Sequence, residues 1–259
     1  MTADIVPLAG RRAHLGRYFV WQLRDYMLHK APATIMVLVL YGYLTLAPIL
    51  NGSLTNGRSF DVASLPISVV RQFFGDLLGS FLLLGTLFAT NGIVANDRKM
   101  GYYRFYFAKP VSAPRFYANA FAASGAGMLI VATLLLGTFA VCVHPLAPPT
   151  FLPVVAVMYV GFGGVGFLLS TLFRFDWLSL VTVAIVSTVA WGMWGEESGI
   201  RGWVVRVLPP MHRAGEIYRY VAGTAEAFPW TTLIWLTGYG LVCFLLGLWV
   251  LRVRQLATT

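Results

Sequence analysis

Apolar residues along the chain gather into six long runs separated by polar stretches. A helix needs about 20 apolar residues to cross the hydrocarbon core of a bilayer. The alternation typical of membrane barrel strands is absent, so backbone polar groups in lipid must pair within helices. The pattern predicts an all-α integral membrane protein with six transmembrane helices. The runs, none of which contains Asp, Glu, Lys or Arg, cover about 32–50, 77–95, 117–143, 153–172, 177–194 and 229–251.

Composition agrees with a membrane protein, since 58% of the residues are hydrophobic and only 11% are charged. We expect a single transmembrane domain over 1–259, with an interface segment at 1–31, a six-span region at 32–251 and a tail at 252–259. The formal charge of +9 lies in short segments between the apolar runs, as membrane topology requires. This distribution argues against a nucleic-acid partner.

Lysine and arginine residues indicate the orientation of the chain. Thirteen fall on the side that holds both termini and the segment after the second run, against six on the other side. Because positive charge is retained in the cytoplasm, the count predicts cytoplasmic termini.

An amphipathic helix is predicted over residues 15–30, before the first run. Phe19 and Met27 share its apolar face, whereas Arg17 and Arg24 lie elsewhere on the helical wheel. Such a helix suits the membrane surface. The alternative is a basic leader that only fixes orientation.

The densest basic run follows the second span and is rich in aromatic residues. It extends from Asp97 to Arg115 and contains Tyr102, Tyr103, Phe105, Tyr106 and Phe107. Aromatic mass of this kind favours docking onto a partner or the headgroup region. Pro110 and Pro114 predict a short helix, a turn and re-entry into the membrane.

This run resembles the loop after the second span in ABC-2 type permeases, the membrane subunits of one class of ATP-binding-cassette transporters. Asp97, Gly101, Pro110, Val111 and Ser112 match the family pattern, whereas Tyr102, Tyr103 and Arg104 depart from it. In that family the loop is a coupling helix that fits a groove of a separate ATPase. The resemblance implies an ATPase interface at Asp97, Arg98, Lys99, Gly101, Arg104, Phe105, Lys109, Pro110, Val111 and Ser112, with the 15–30 helix as a second contact.

Further expectations follow from the same resemblance. A nucleotide-binding ATPase subunit would bind ATP and Mg, so this chain would hold no cofactor or metal. Six spans are half of what the family uses, which implies a second permease subunit in a homodimer or heterodimer surrounded by membrane lipid. The resemblance also implies export of an amphiphile across the plasma membrane, which is the inner membrane in bacteria.

The segment 195–228 lies between the fifth and sixth runs and is expected on the outer side. Pro209 and Pro210 divide it, and a helix after them carries His212, Glu216 and Arg219 on its polar face. In ABC-2 permeases, short helices at this place re-enter the outer leaflet, so we expect re-entrant or interfacial helices here. His212 and Glu216 are four residues apart, but a metalloprotease motif needs a second histidine, which is absent.

Charge is missing where other mechanisms would need it. Ion-coupled carriers and intramembrane hydrolases place ionisable groups at membrane depth, and the six runs have no Asp, Glu or Lys. Lys30, Lys99 and Lys109 are not followed by Ser or Thr, so no Walker A loop is present and the chain is not expected to be an enzyme. Two alternatives remain: a membrane scaffold or assembly factor, and a lipid-directed enzyme that uses His212 or Glu216.

Glycine clusters predict close helix packing. The fourth run carries Gly161, Gly163, Gly164 and Gly166, and a weaker pair, Gly75 and Gly79, begins the second run. Small residues let neighbouring helices approach. Helix motion during transport is the alternative role of these glycines.

Overall fold

The computed structural model describes residues 15–55, 66–100, 112–145, 148–173, 176–195, 197 and 199–253, and every regular element within them is helical. Two short turns of other helix types, a π-helical turn at Tyr26–Lys30 and a 3₁₀ turn at Met211–Arg213, accompany the α-helices. In our numbering the α-helices are α1 Leu15–Asp25, α2 Ala31–Thr55, α3 Ile67–Thr90, α4 Ala95–Met100, α5 Ala113–Cys142, α6 Phe151–Leu172, α7 Asp176–Trp194, α8 Ile200–Val207, α9 Ala214–Val221 and α10 Trp230–Val253.

Five helical stretches of the described residues are long and apolar enough to cross a membrane. They are Gly16–Thr45, Ile67–Asp97, Ala113–Cys142, Phe151–Leu172 and Trp230–Val253. The predicted fifth span is also helical, as α7, but its apolar part Ser179–Trp194 is shorter than the other five. An all-helical protein with several membrane-length helices therefore agrees with the sequence prediction.

The N-terminal helix is joined directly to the first span. We expected a separate surface helix at 15–30, but α1 continues through the π-helical turn into α2. The backbone N–H of Ala31 donates to the carbonyl of Tyr26, five residues earlier. Pro32 explains this local change of pitch, because its ring crowds the carbonyl four residues before it and a π-turn relieves that clash.

Helices α6 and α10 form the closest crossing in the described core. A Cβ built on Gly164 would overlap the backbone carbonyl of Gly240, and one on Gly240 would overlap the carbonyl of Gly161. Gly161, Gly163, Gly164 and Gly166 are all buried. The predicted packing face is confirmed, and the reason is that only glycine lets the two backbones meet at this distance.

Helix α3 packs against the short helix α9 along its N-terminal half. A Cβ on Gly79 would come within 2.8 Å of the Tyr218 ring, and one on Gly75 within 3.2 Å of the Ala222 Cβ. The Arg71 guanidinium donates to the carbonyl of Gly223 at 3.1 Å, where the chain leaves α9 with a φ of 73°. The 195–228 segment therefore packs against the glycine pair that the sequence predicted as a packing face.

Candidate functional site

The C-terminal end of α3 is fastened to the N-terminal helical segment by one lysine. The Lys30 ammonium donates to the carbonyl of Asn91 at 2.7 Å and to that of Ala89 at 3.1 Å. These carbonyls stand at the end of a helix, where backbone oxygens lack intrahelical partners and a cation is favourable. Lys30 therefore holds the junction of α1 and α2 against the end of α3.

The chain then turns sharply into α4, the start of the predicted ATPase interface. Gly92 takes a φ of 76°, a conformation that side chains disfavour, and α4 begins at Ala95. Asp97 lies in the first turn of α4, and its carboxylate accepts a hydrogen bond from the Tyr117 hydroxyl at 3.2 Å. Tyr117 is fully buried in α5, so α4 is tied to α5 as well.

Only part of the predicted interface can be described. Arg98 and Lys99 belong to α4, and Ser112 is the N-cap residue of α5. Ser112 makes no side-chain capping hydrogen bond, and a proline follows in the first turn. The remaining predicted residues lie outside the described residues: Gly101, Arg104, Phe105, Lys109, Pro110 and Val111.

The predicted second contact, the N-terminal helix, lies along α5. Arg17 and Arg24 are exposed and Phe19 and Met27 are half-buried, whereas Val20, which the wheel places on the apolar face, is 64% exposed. The Asn119 amide donates to the Gln22 side-chain oxygen at 2.7 Å, and the rings of Tyr18 and Phe116 meet edge to face. Sequence inspection did not single out Tyr117 or Asn119, since neither belongs to the motif.

A second polar region is built by the 195–228 segment. Pro209 and Pro210 are buried, and the Ser187 hydroxyl of α7 donates to the carbonyl of Pro209. Beyond them, Met211, Ala214 and Val221 are buried while Glu216 and Arg219 are exposed, which confirms the predicted amphipathic pattern. Ile217 is also fully buried.

A stack of three side chains follows the two prolines. The His212 ring lies parallel to the Trp191 ring, with centroids 4.2 Å apart and planes at 14°. The Arg213 guanidinium sits 5.1 Å from the centre of the same indole. A cation over an indole face is attracted to the ring quadrupole, so Trp191 positions Arg213.

These side chains border an open cavity of about 740 Å³. Helices α7 and α10 form its walls, and the 3₁₀ turn and α9 cover one end. The Thr232 hydroxyl donates to the Glu216 carboxylate at 2.6 Å across the cavity rim. The lining residues are Thr188, Trp191, Gly192, His212, Arg213, Glu216, Arg219, Thr231 and Thr232.

The environment of His212 favours its neutral form. Burial of the ring lowers the pKa of His212, the Arg213 charge lowers it further, and the Glu216 carboxylate opposes both. Both ring nitrogens are buried and have no hydrogen-bond partner among the described residues. Within the described part of the chain, no group of three His, Cys, Asp or Glu side chains lies close enough to hold a metal ion.

Comparisons with protein-family models, with curated proteins and with solved structures find no match for this chain.

Proposed function

We propose that this chain is the membrane-spanning subunit of an ATP-binding-cassette exporter of the ABC-2 type, driven by a separate ATPase subunit. The proposal joins the resemblance of the 97–112 run with the membrane-length helices of the described chain. ATP and Mg bind to the partner, and this chain transmits the motion. Both termini and α4 lie in the cytoplasm, and the membrane is the plasma membrane.

The observation that carries the proposal is the pair of attachments at opposite ends of α3. At its C-terminal end, Lys30 holds the carbonyls of Ala89 and Asn91, and α4 follows immediately. Near its N-terminal end, α9 packs on Gly75 and Gly79. Residues 71 and 89 are separated by roughly 27 Å along a helix that rises 1.5 Å per residue.

A rigid helix with one attachment at each end can transmit displacement across a membrane. Force applied to α4 by an ATPase passes to α3, to α5 through Asp97 and Tyr117, and to α1 and α2 through Lys30. At its far end the same helix moves the 195–228 segment. The proposed cycle is therefore mechanical and needs no titrating group inside the spans.

The proposed assembly contains two permease subunits, identical or different, with an amphiphilic substrate passing between them. Large apolar side chains on α2, α7 and α10 are exposed in the single chain, including Met36, Val189 and Trp249. Such surfaces need lipid or a second subunit to cover them. In a dimer within the membrane, the second subunit covers part of this surface and lipid covers the rest.

The proposal is tested by gentle purification from the native membrane, identification of co-purifying proteins, and an ATPase assay. Charge reversal at Lys99, Arg104 and Lys109 should abolish ATPase binding or activity. Charge reversal at Arg201 and Arg206, two exposed residues of α8, is the control. If no nucleotide-binding protein co-purifies and both variants behave like the parent chain, the exporter proposal fails and a scaffold role is favoured.

A further inference from the structure

The cavity between α7, α9 and α10 is lined by Arg213 and Arg219. Within the described part of the chain, no carboxylate lies within 4.0 Å of either guanidinium. Glu216 lies one helical turn from each arginine, yet its carboxylate accepts its hydrogen bond from Thr232 instead.

Each arginine is partly held in place by a contact that leaves donors available. The Arg213 guanidinium rests over Trp191, a contact that uses the face of the group and not its N–H bonds. Arg219 uses its Nε to donate to the Gly215 carbonyl at 3.3 Å, so its terminal nitrogens remain available to an anion. A guanidinium presents a fork of donors that matches tetrahedral oxyanions such as phosphate.

The remaining polar lining adds one further donor for a bound oxyanion. Thr231 contributes a hydroxyl group, whereas the Thr188 hydroxyl already donates to the Ala184 carbonyl at 2.9 Å. Pockets for small ligands are typically about 300–1,000 Å³. At about 740 Å³, the cavity can hold a lipid headgroup.

Apolar side chains continue from the cavity along both walls. On α7, Ile185 lies one turn from Thr188, on the side away from the 195–228 segment, and is 58% exposed. On α10, Trp235 lies one turn beyond Thr231 and is 55% exposed. Residues three or four apart share a helix face, so a polar end is followed by apolar walls that match an amphiphile.

We propose that this cavity binds an amphiphile with a phosphate headgroup, with Arg213 and Arg219 on the phosphate and the apolar chain lying between α7 and α10 beside Ile185 and Trp235. This inference deepens the transport proposal and rests on it only for the role of the site as a place where the exported substrate leaves. Binding itself needs no ATPase.

The test measures binding to the full chain held in phosphatidylcholine nanodiscs without an ATPase, using fluorescent phosphatidylglycerol as the probe. We expect saturable binding that weakens by about tenfold or more in the double variant Arg213→Gln/Arg219→Gln, because both charge-assisted contacts to the phosphate are lost. Arg201→Gln/Arg206→Gln is the matched control, with the same charge change in the same segment outside the cavity, and should retain the parent affinity.

Two further measurements distinguish specific binding from misfolding of the variant and from binding of soluble phosphate. Arg213→Lys/Arg219→Lys keeps the charge and should bind with intermediate affinity, which a misfolded variant would not do. Dihexanoyl phosphatidylglycerol should displace the probe, whereas glycerol 1-phosphate at the same concentration should not. Equal displacement by glycerol 1-phosphate would show a site for soluble phosphate and overturn the amphiphile assignment.

The inference is overturned if binding is not saturable, or if both glutamine variants lose affinity equally, since bulk electrostatics would then explain the attraction. Its failure is distinguishable from failure of the transport proposal. An ATPase that co-purifies with a chain lacking the lipid site would leave transport standing. Saturable, arginine-dependent binding with no ATPase partner would leave the site standing.

Discussion

Among single residues, Lys30 contributes more to the stability of the fold than its place in a basic segment suggests. Replacement by methionine keeps the length of the side chain but removes the donor to Ala89 and Asn91. Partly buried carbonyls left without partners cost about 1–3 kcal/mol. We therefore expect Lys30→Met to lower the thermal unfolding temperature of the detergent-purified chain by several degrees.

Arg24→Met is the control for this substitution. Arg24 is exposed one turn and a half earlier in the same helical segment. Its replacement should leave the unfolding temperature near that of the parent chain. Equal effects of the two variants would mean that loss of positive charge, and not loss of the helix-end contact, sets the stability.

His212 predicts a specific dependence of stability on pH. Because its pKa is lowered in the fold, chiefly by burial and by Arg213, the unfolded chain takes up a proton at a higher pH than the folded chain. Stability from this group is therefore complete above about 6.5, the ordinary histidine value, and is lost as pH falls through the lowered folded pKa. The charged groups that face His212 are Arg213, Glu216 and Arg219, which line the same cavity.

Replacing His212 by phenylalanine keeps a ring against Trp191 and removes the titration. Between pH 7.5 and pH 5, the unfolding temperature of His212→Phe should fall less than that of the parent chain. A parent slope retained in His212→Phe would assign the acid sensitivity to other groups.

At the scale of helices, the packing of α9 on α3 depends on Gly79. A side chain there would meet the Tyr218 ring at 2.8 Å. Overpacking of this kind costs about 1–3 kcal/mol. In Gly79→Leu we expect faster hydrogen exchange over residues 214–223, because α9 can no longer pack closely on α3. The amide protons of α6 and α10 should exchange at the same rates as in the parent chain.

Gly137→Leu is the comparison, because nothing lies within 4 Å of a Cβ built at Gly137 on α5. Its exchange pattern should match that of the parent chain. Unchanged exchange in Gly79→Leu would mean that α9 is held by the Arg71 contact to Gly223 and not by the glycine face.

The helices themselves were largely predictable from the sequence, whereas their attachments were not. Apolar runs and the Pro209-Pro210 break determine helices by local periodicity, and the fourth-run glycines correctly predicted a close crossing. The sequence did not predict that α1 continues into α2. Pro32 ordinarily favours a helix boundary, whereas here a π-turn accommodates it. Lys30 donates to a carbonyl 59 residues later in the chain, and Tyr117 donates to a carboxylate 20 residues earlier. No local sequence pattern reveals contacts at these separations.

For the whole molecule, the proposed transmission through α3 predicts that α9 moves together with α3, so a covalent link between the two helices should leave the transport cycle intact. A Cβ at Gly75 would lie 3.2 Å from the Ala222 Cβ, close to the roughly 3.5–4.5 Å that a disulfide needs. The native cysteines, Cys142 and Cys243, are first replaced by serine and alanine. Gly75→Cys/Ala222→Cys should then form a cross-link under mild oxidation.

Because α3 carries α9 with it in the proposed cycle, the oxidised complex should keep its ATPase subunit and hydrolyse ATP at close to the reduced rate. Comparison of the oxidised and thiol-reduced forms separates the effect of the cross-link from the cost of two substitutions. A rate that falls on oxidation and recovers on reduction would show that α9 moves relative to α3 during turnover. Motion driven at α4 would then have to reach the far side through α5, which the hydrogen bond between Tyr117 and Asp97 ties to α4.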